Sequence, residues 1–337
     1  MTGWRSVATG LTALVLLAGC GGQPTRAEGT ASAHASSPGH ESASPTAAAV
    51  PRATRARGAV ETWRLPFPVA REAVIADTRQ PGHVVVAGGL LPGDQSTGQS
   101  YRLELRTGRT VALPALAVPV HDAAGGSYAG NPAVFGGGNA TEQSVVQALV
   151  GRRWRRVDTM PTSRSDLVVA DTASGTLVIG GYDGVNVPRR ILRQHGSSPL
   201  RPGGALSIGV RYAAVAARGG AVYVFGGEVN NRELDAVQRV DVRTGRTRVV
   251  AHLPRRLGHA QAATIGGRIL LMGGRVDPTT QTDQMWWFDP ATSRFARAGR
   301  LPVALSDAGT VVSGGSVWLL GGESPSMTDR AIRVRVS

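Results

Sequence analysis

The chain has 337 residues, a formal net charge of +14, 5% aromatic residues and one cysteine. That length suits one large all-β domain or two ordinary ones. A single cysteine excludes a disulfide within the chain. All 37 basic residues are arginine. Without lysine no phosphate-binding loop of the Gly-Lys-Ser/Thr kind exists. The arginines do not cluster with aromatics, as single-stranded nucleic-acid binding would require, so no nucleic-acid partner is expected. The arginine excess is read first as the codon bias of a high-GC genome, and only second as a match to an anionic partner such as phospholipid headgroups or wall polymers. With so few aromatics the core must come from Val, Leu, Ile and Ala.

In chain order, Met1 to Arg5 is a short positive start and Ala8 to Ala18 an apolar run. The run is too short to span a bilayer comfortably. It ends in Leu17-Ala18-Gly19-Cys20, which resembles a bacterial lipobox. The resemblance implies a signal peptide over residues 1–20 and a diacylglycerol thioether on Cys20. It places the protein on the extracytoplasmic face of the cell membrane. Residues 21–58 are mostly Ala, Ser, Pro, Gly, Thr and His with almost no large apolar side chain. Such a stretch cannot bury enough surface to fold and reads as a disordered linker. The folded domain is expected over residues 59–337.

From there one phrase repeats. A short apolar strand ends in two glycines, first at Gly88 and then at Gly136, Gly180, Gly226, Gly273 and Gly321, 44 to 48 residues apart. Six units at that period mean a propeller or a solenoid. Within each unit a strand of small residues precedes the glycine strand, and a polar loop and two more strands follow. Thr107-Gly108 and Thr244-Gly245 mark tight turns between those last strands. Four short antiparallel strands make a blade.

A Leu-Pro pair or a variant closes each unit: Leu65-Pro66, Leu113-Pro114, Met160-Pro161, Leu200-Arg201-Pro202, Leu253-Pro254 and Leu301-Pro302. Proline cannot donate to a ladder, so it belongs where an outer strand stops. The first pair precedes the first glycine strand, and the last unit has only three strands. Val60 to Arg64 therefore reads as the fourth strand of the last blade, closing the ring.

Residues 60–337 resemble a kelch-repeat β-propeller with six blades. The fifth unit carries the family phrase most fully, in Gly273-Gly274, Phe288-Asp289-Pro290 and Phe295. Trp63 and Trp154 take the later aromatic position in their units. The third unit departs most, since Ile191 to Pro202 shows neither the aromatic nor a clear outer strand, so a frayed blade three is expected. The resemblance implies that the glycine pairs are structural, crowded against the axis.

Aligning the units places Glu72, Asp122, Asp166, Tyr212, His259 and Asp307 at one axial mouth, with Arg71, His121, Ser165, Arg211 and Ser306 beside them. The loops after the glycines add Tyr182, Asp183, Glu228, Asn230, Arg275 and Glu323. These carboxylates either pair with neighbouring arginines to fix blade register, or form a polar funnel for a ligand. The residues chosen for ligand contact are Glu228, Arg275, Glu323, Asp122, Asp166, Tyr182, His259 and Asp307. No second histidine falls at ligand spacing beside His259, so no metal is expected, and no cofactor either. The copper chemistry of galactose oxidase, which resembles this fold class, needs a tyrosine crosslinked to cysteine, and the one cysteine here lies at Cys20. The reading is a membrane-tethered, monomeric binding module for an envelope glycan or protein. The alternative is a sugar-modifying enzyme resembling a sialic-acid mutarotase, working by acid–base catalysis.

Overall fold

The computed structural model describes residues 55–337. Cys20, the signal peptide and most of the linker lie outside the described residues. The rest is all β-strand, turn and loop, and forms a six-bladed β-propeller. Blade one is Ala73–Ala76, His83–Ala87, Ser100–Glu104 and Thr110–Leu113, paired in that order. Blades two to five repeat the same antiparallel order of four strands.

Blade six is the composite expected. Gly309–Ser313, Ser316–Leu320 and Arg330–Val336 come from the end of the chain, and the fourth strand comes from its start. That strand runs over Ala56–Arg64, four residues earlier than Val60, and pairs Ala56 with Val336 and Val60 with Ile332. Residues 56–58, linker-like by composition, are therefore strand. The ladder supplies their backbone partners, and Ala56 is buried. Trp63 stacks on Trp318 of the same blade at 6.1 Å between ring centroids.

Blade three corrects the expectation of fraying. Its outer strand, Arg201–Ala205, is complete and pairs with Arg190–Gln194. Pro202 sits inside that strand, opposite Leu192. The residue that does the work of the closing Leu-Pro pair is Leu206, which is fully buried and donates its N–H to the Arg189 carbonyl at 2.7 Å. Leu253 and Leu301 make the same bond in blades four and five. The strand is glycine-rich because the hairpin turn of blade four crosses it. A Cβ on Gly204 would run into the Gly245 carbonyl.

The core consists of six apolar clusters, and each lies between two adjacent blades. Ile265, Trp287 and Val334, for example, join blades five and six. All six form within residues 55–337, so this stretch holds its own core and folds as a unit. Burying a Val, Leu, Ile or Phe side chain contributes about 1.5–3 kcal/mol.

The glycine pairs stitch neighbouring blades together. In the second blade the Gly137 N–H donates to the Arg164 carbonyl of blade three at 2.8 Å. A Cβ on Gly136 would stand 2.5 Å from that same carbonyl, and Gly136 has φ +57°. No side chain fits where the backbones meet. The arrangement recurs at all six junctions, and at the last one Gly322 donates to Val69 at 2.8 Å, closing the circle.

Candidate functional site: the axial mouth

At the start of each first strand or two residues before it, six residues take the left-handed conformation: Arg71, Asp122, Asp166, Tyr212, His259 and Asp307, with φ between 51° and 60°. Aspartate and histidine tolerate this region better than most residues, whereas Arg and Tyr rarely enter it. A ring of backbone hydrogen bonds holds them there. Asp122 donates to Arg71, Asp166 to Asp122, Tyr212 to Asp166, His259 to Tyr212, Asp307 to His259 and Arg71 back to Asp307, at 2.9–3.1 Å. The six side chains line an axial cavity of about 240 Å³. Below them its walls include Ala124, Gly125, Val168, Val169, Val215 and Ala262.

The member from blade one is Arg71, not Glu72. The turn between the first two strands of blade one is one residue longer than aligning Glu72 with the other five allows. Three carboxylates, not four, therefore occupy equivalent places. Glu72 lies in the wall, 5% exposed, where the other blades have Ala123, Leu167, Ala213, Ala260 and Ala308.

A second tier comes from the residue after each glycine pair. Bridges join Tyr182 to Ser165, Glu228 to Arg211, Arg275 to Gly258 and Glu323 to Ser306. The tiers interlock through charge. Asp307 meets His259 Nδ1 at 2.6 Å and Arg275 at 3.0 Å. Arg275 also meets Glu323 at 2.5 Å, and Arg71 reaches Glu323 at 3.3 Å and Asp122 at 3.2 Å. His259 Nε2 faces Glu228 at 3.4 Å. Arg211 lies 2.8 Å from Asp166 and covers the rings of Tyr182 and Tyr212 at 5.0 and 4.6 Å. The Tyr212 ring stacks on His259 at 3.9 Å, and its hydroxyl donates to Asp122 at 3.3 Å.

All eight chosen residues thus meet at one mouth, Tyr182 through Arg211. Asp183 instead holds its own loop, accepting from the N–H groups of Val185 and Asn186. Arg71, Arg211 and Tyr212, named beside the mouth but not chosen, are central to it. Their positions one before or at the aligned acids were the available signal.

Pairing sets the protonation states. Burial pulls the His259 imidazolium down, but the Asp307 charge and the bonds to Asp307 and Glu228 outweigh it and hold its pKa at about 9. Burial pushes Asp307 up, yet His259, Arg71 and Arg275 keep it well below the usual carboxylate range. Burial, then the charge of Asp122, lifts Asp166 to about 7 against the pull of Arg211. Burial raises Glu72 to about 8. Its Oε1 accepts from the Gly309 N–H at 3.3 Å, while Oε2 has no partner. Arginines separate the carboxylates, and no group of His, Cys, Asp and Glu among the described residues is arranged to hold a metal ion. The mouth thus gathers guanidinium groups, carboxylates and a charged imidazole in one network, with the Tyr212 ring between His259 and Arg211.

Fold and site together define a six-bladed propeller with a charged axial mouth. Among solved structures 697 chains match. One, titled "Structure of YjhT", is similar over 81% of this chain and 99% of that chain, with a TM-score of 0.71 at 15% identity. That likeness concerns the fold. No family pattern matches the chain, and no curated protein matches it.

Proposed function

We propose that this protein is a kelch-type binding module that holds an envelope saccharide at its axial mouth, tethered to the extracytoplasmic membrane face by lipid on Cys20. One observation carries the reading: Arg71, Arg275, Glu228, Glu323, Asp307 and His259 converge on a confined mouth above a cavity of about 240 Å³. A protein partner would call for a broad, shallow face. A saccharide needs paired donors and acceptors with an aromatic surface nearby, and the half-buried Tyr182 supplies the latter. Crosslinking in the native envelope with mass spectrometry tests it, comparing wild type with the Glu228→Ala, Arg275→Ala, Glu323→Ala triple variant. A glycan adduct lost in the variant supports the reading; an adduct profile that does not change refutes it, and a protein adduct lost instead reassigns the ligand. The tether is tested separately: Cys20→Ala should release the protein from membrane fractions.

A sugar-modifying enzyme resembling a sialic-acid mutarotase is the second reading. The His259 imidazolium between Asp307 and Glu228 favours it, because a protonated imidazole next to a carboxylate suits acid–base work. Anomer exchange followed by NMR, abolished by His259→Gln, would favour the enzyme.

A further inference from the structure

The loops that follow the glycine pairs use their polar side chains in different ways. In blade two Asn139, Thr141 and Gln143 bond one another, and in blade five Asp277 accepts from Thr279 and Thr280. Those groups hold their own loops in shape. In blades three and four, Asn186, Asn230 and Asn231 are exposed, and none makes a side-chain hydrogen bond among the described residues. All three line one groove of about 440 Å³ between the two loops. Glu228–Val229 and Arg232–Glu233 pair as a hairpin, and Asn230 and Asn231 make its turn with φ of 52° and 56°. Two left-handed residues in succession favour Asn first and Gly second. Asn231 stands where glycine would serve the backbone better, so the turn alone does not account for its amide. On the other side, Val185 is 81% exposed. Asp183 accepts from the N–H groups of Val185 and Asn186 at 3.0 and 2.6 Å, so that wall is preformed. Tyr182 and Arg211 also line the groove and join it to the mouth.

We propose that this groove is a second sugar subsite. The saccharide held at the mouth continues outward between blades three and four, and its next unit is an uncharged sugar bonded to Asn186 and Asn231. The proposal rests on the saccharide reading of the mouth and extends it from one unit to a chain. An amide offers two donors and an acceptor, which suits hydroxyls that both donate and accept. Val185 gives the C–H face of the sugar ring an apolar surface. The groove has no carboxylate in its lining, and its one cation, Arg211, is already matched by Asp166 at 2.8 Å. A charged unit would therefore lose water there without gaining a partner.

Calorimetric titration with the mono-, di- and trisaccharide fractions of mildly hydrolysed envelope polysaccharide tests the proposal. Wild type should bind the disaccharide fraction about tenfold more tightly than the monosaccharide fraction, as two added hydrogen bonds allow. The double variant Asn186→Ala, Asn231→Gly should lose that gain and keep monosaccharide binding within about twofold of wild type. Asn231→Gly suits the turn, and neither side chain belongs to the ion pairs of the mouth. Val185→Trp fills the groove from an exposed position and should abolish the same gain, which keeps the proposal testable if the double variant fails to fold. Equal affinity of wild type for both fractions, with both lost in the Glu228→Ala, Arg275→Ala, Glu323→Ala variant, would overturn the groove and leave the mouth reading standing. Equal losses for both fractions in the double variant would also overturn the groove. Wild type that binds no fraction would overturn the mouth reading and the groove together.

Discussion

Arginine does opposite things at the mouth and on the rim. Arg71, Arg211 and Arg275 have side chains only 16–24% exposed, and each lies against carboxylates. Arg152, Arg153, Arg155 and Arg156 stand in solvent on blade two with no ion pair among the described residues. A charge taken out of water needs a partner, whereas an exposed one needs only water. The mouth is thus a network in which each deletion strands a neighbour, and the rim is a set of independent charges.

The largest effect should follow Asp307→Ala. It removes the carboxylate shared by His259, Arg71 and Arg275. Breaking a buried ion pair from one side costs about 3–5 kcal/mol, readable by denaturant unfolding. The pH profile sharpens this. The folded pKa of His259 is raised from 6.5 to about 9. Its stabilisation is complete below the unfolded value and lost as pH climbs through the folded one. Asp307→Ala should flatten that alkaline slope.

Glu72→Gln should have a smaller effect of opposite sign. Burial raises this carboxyl from 4.5 to about 8. The unfolded chain ionises first, so Glu72 erodes stability as pH rises across that window. The glutamine variant should match wild type near pH 4 and melt higher near pH 8. A variant that melts lower at pH 8 would mean that Glu72 is held ionised by an unrecognised partner. The smallest effect belongs to the rim, where Arg153→Ala should stay within about 0.5 kcal/mol of wild type. A rim loss as large as that of Asp307→Ala would end the contrast.

The legible part of this fold is the part that backbone contact dictates. Gly136 can be nothing else, because the Arg164 carbonyl occupies the place of a Cβ. The same constraint six times over gives period, blade count and direction. Ring closure follows from counting strands, although the strand begins at Ala56, where Ala-Arg-Gly reads as linker. Blade three was opaque because Gly204 answers to Gly245 of the next blade, a contact that local pattern does not contain. At the mouth the residue types were legible and their pairing was not. Arg71 bridges Asp122 and Glu323, which no spacing rule joins. The one-residue slip at Glu72 arose because the left-handed position, not the nearest acid, defines the ring.

The backbone of the mouth repeats six times while its side chains do not, and the proposed saccharide would be the reason for that difference. The direct measurement is envelope oligosaccharide binding by calorimetry, with the melting temperature of the same samples, for wild type and the Glu228→Ala, Arg275→Ala, Glu323→Ala variant. The variant leaves the backbone ring intact and Asp307 still beside Arg71 and His259. Binding is expected to disappear while the variant remains folded with a cooperative melt. Undiminished binding, or no binding by wild type together with a large fall in the variant's melting temperature, would contradict it and leave the network a device for blade register.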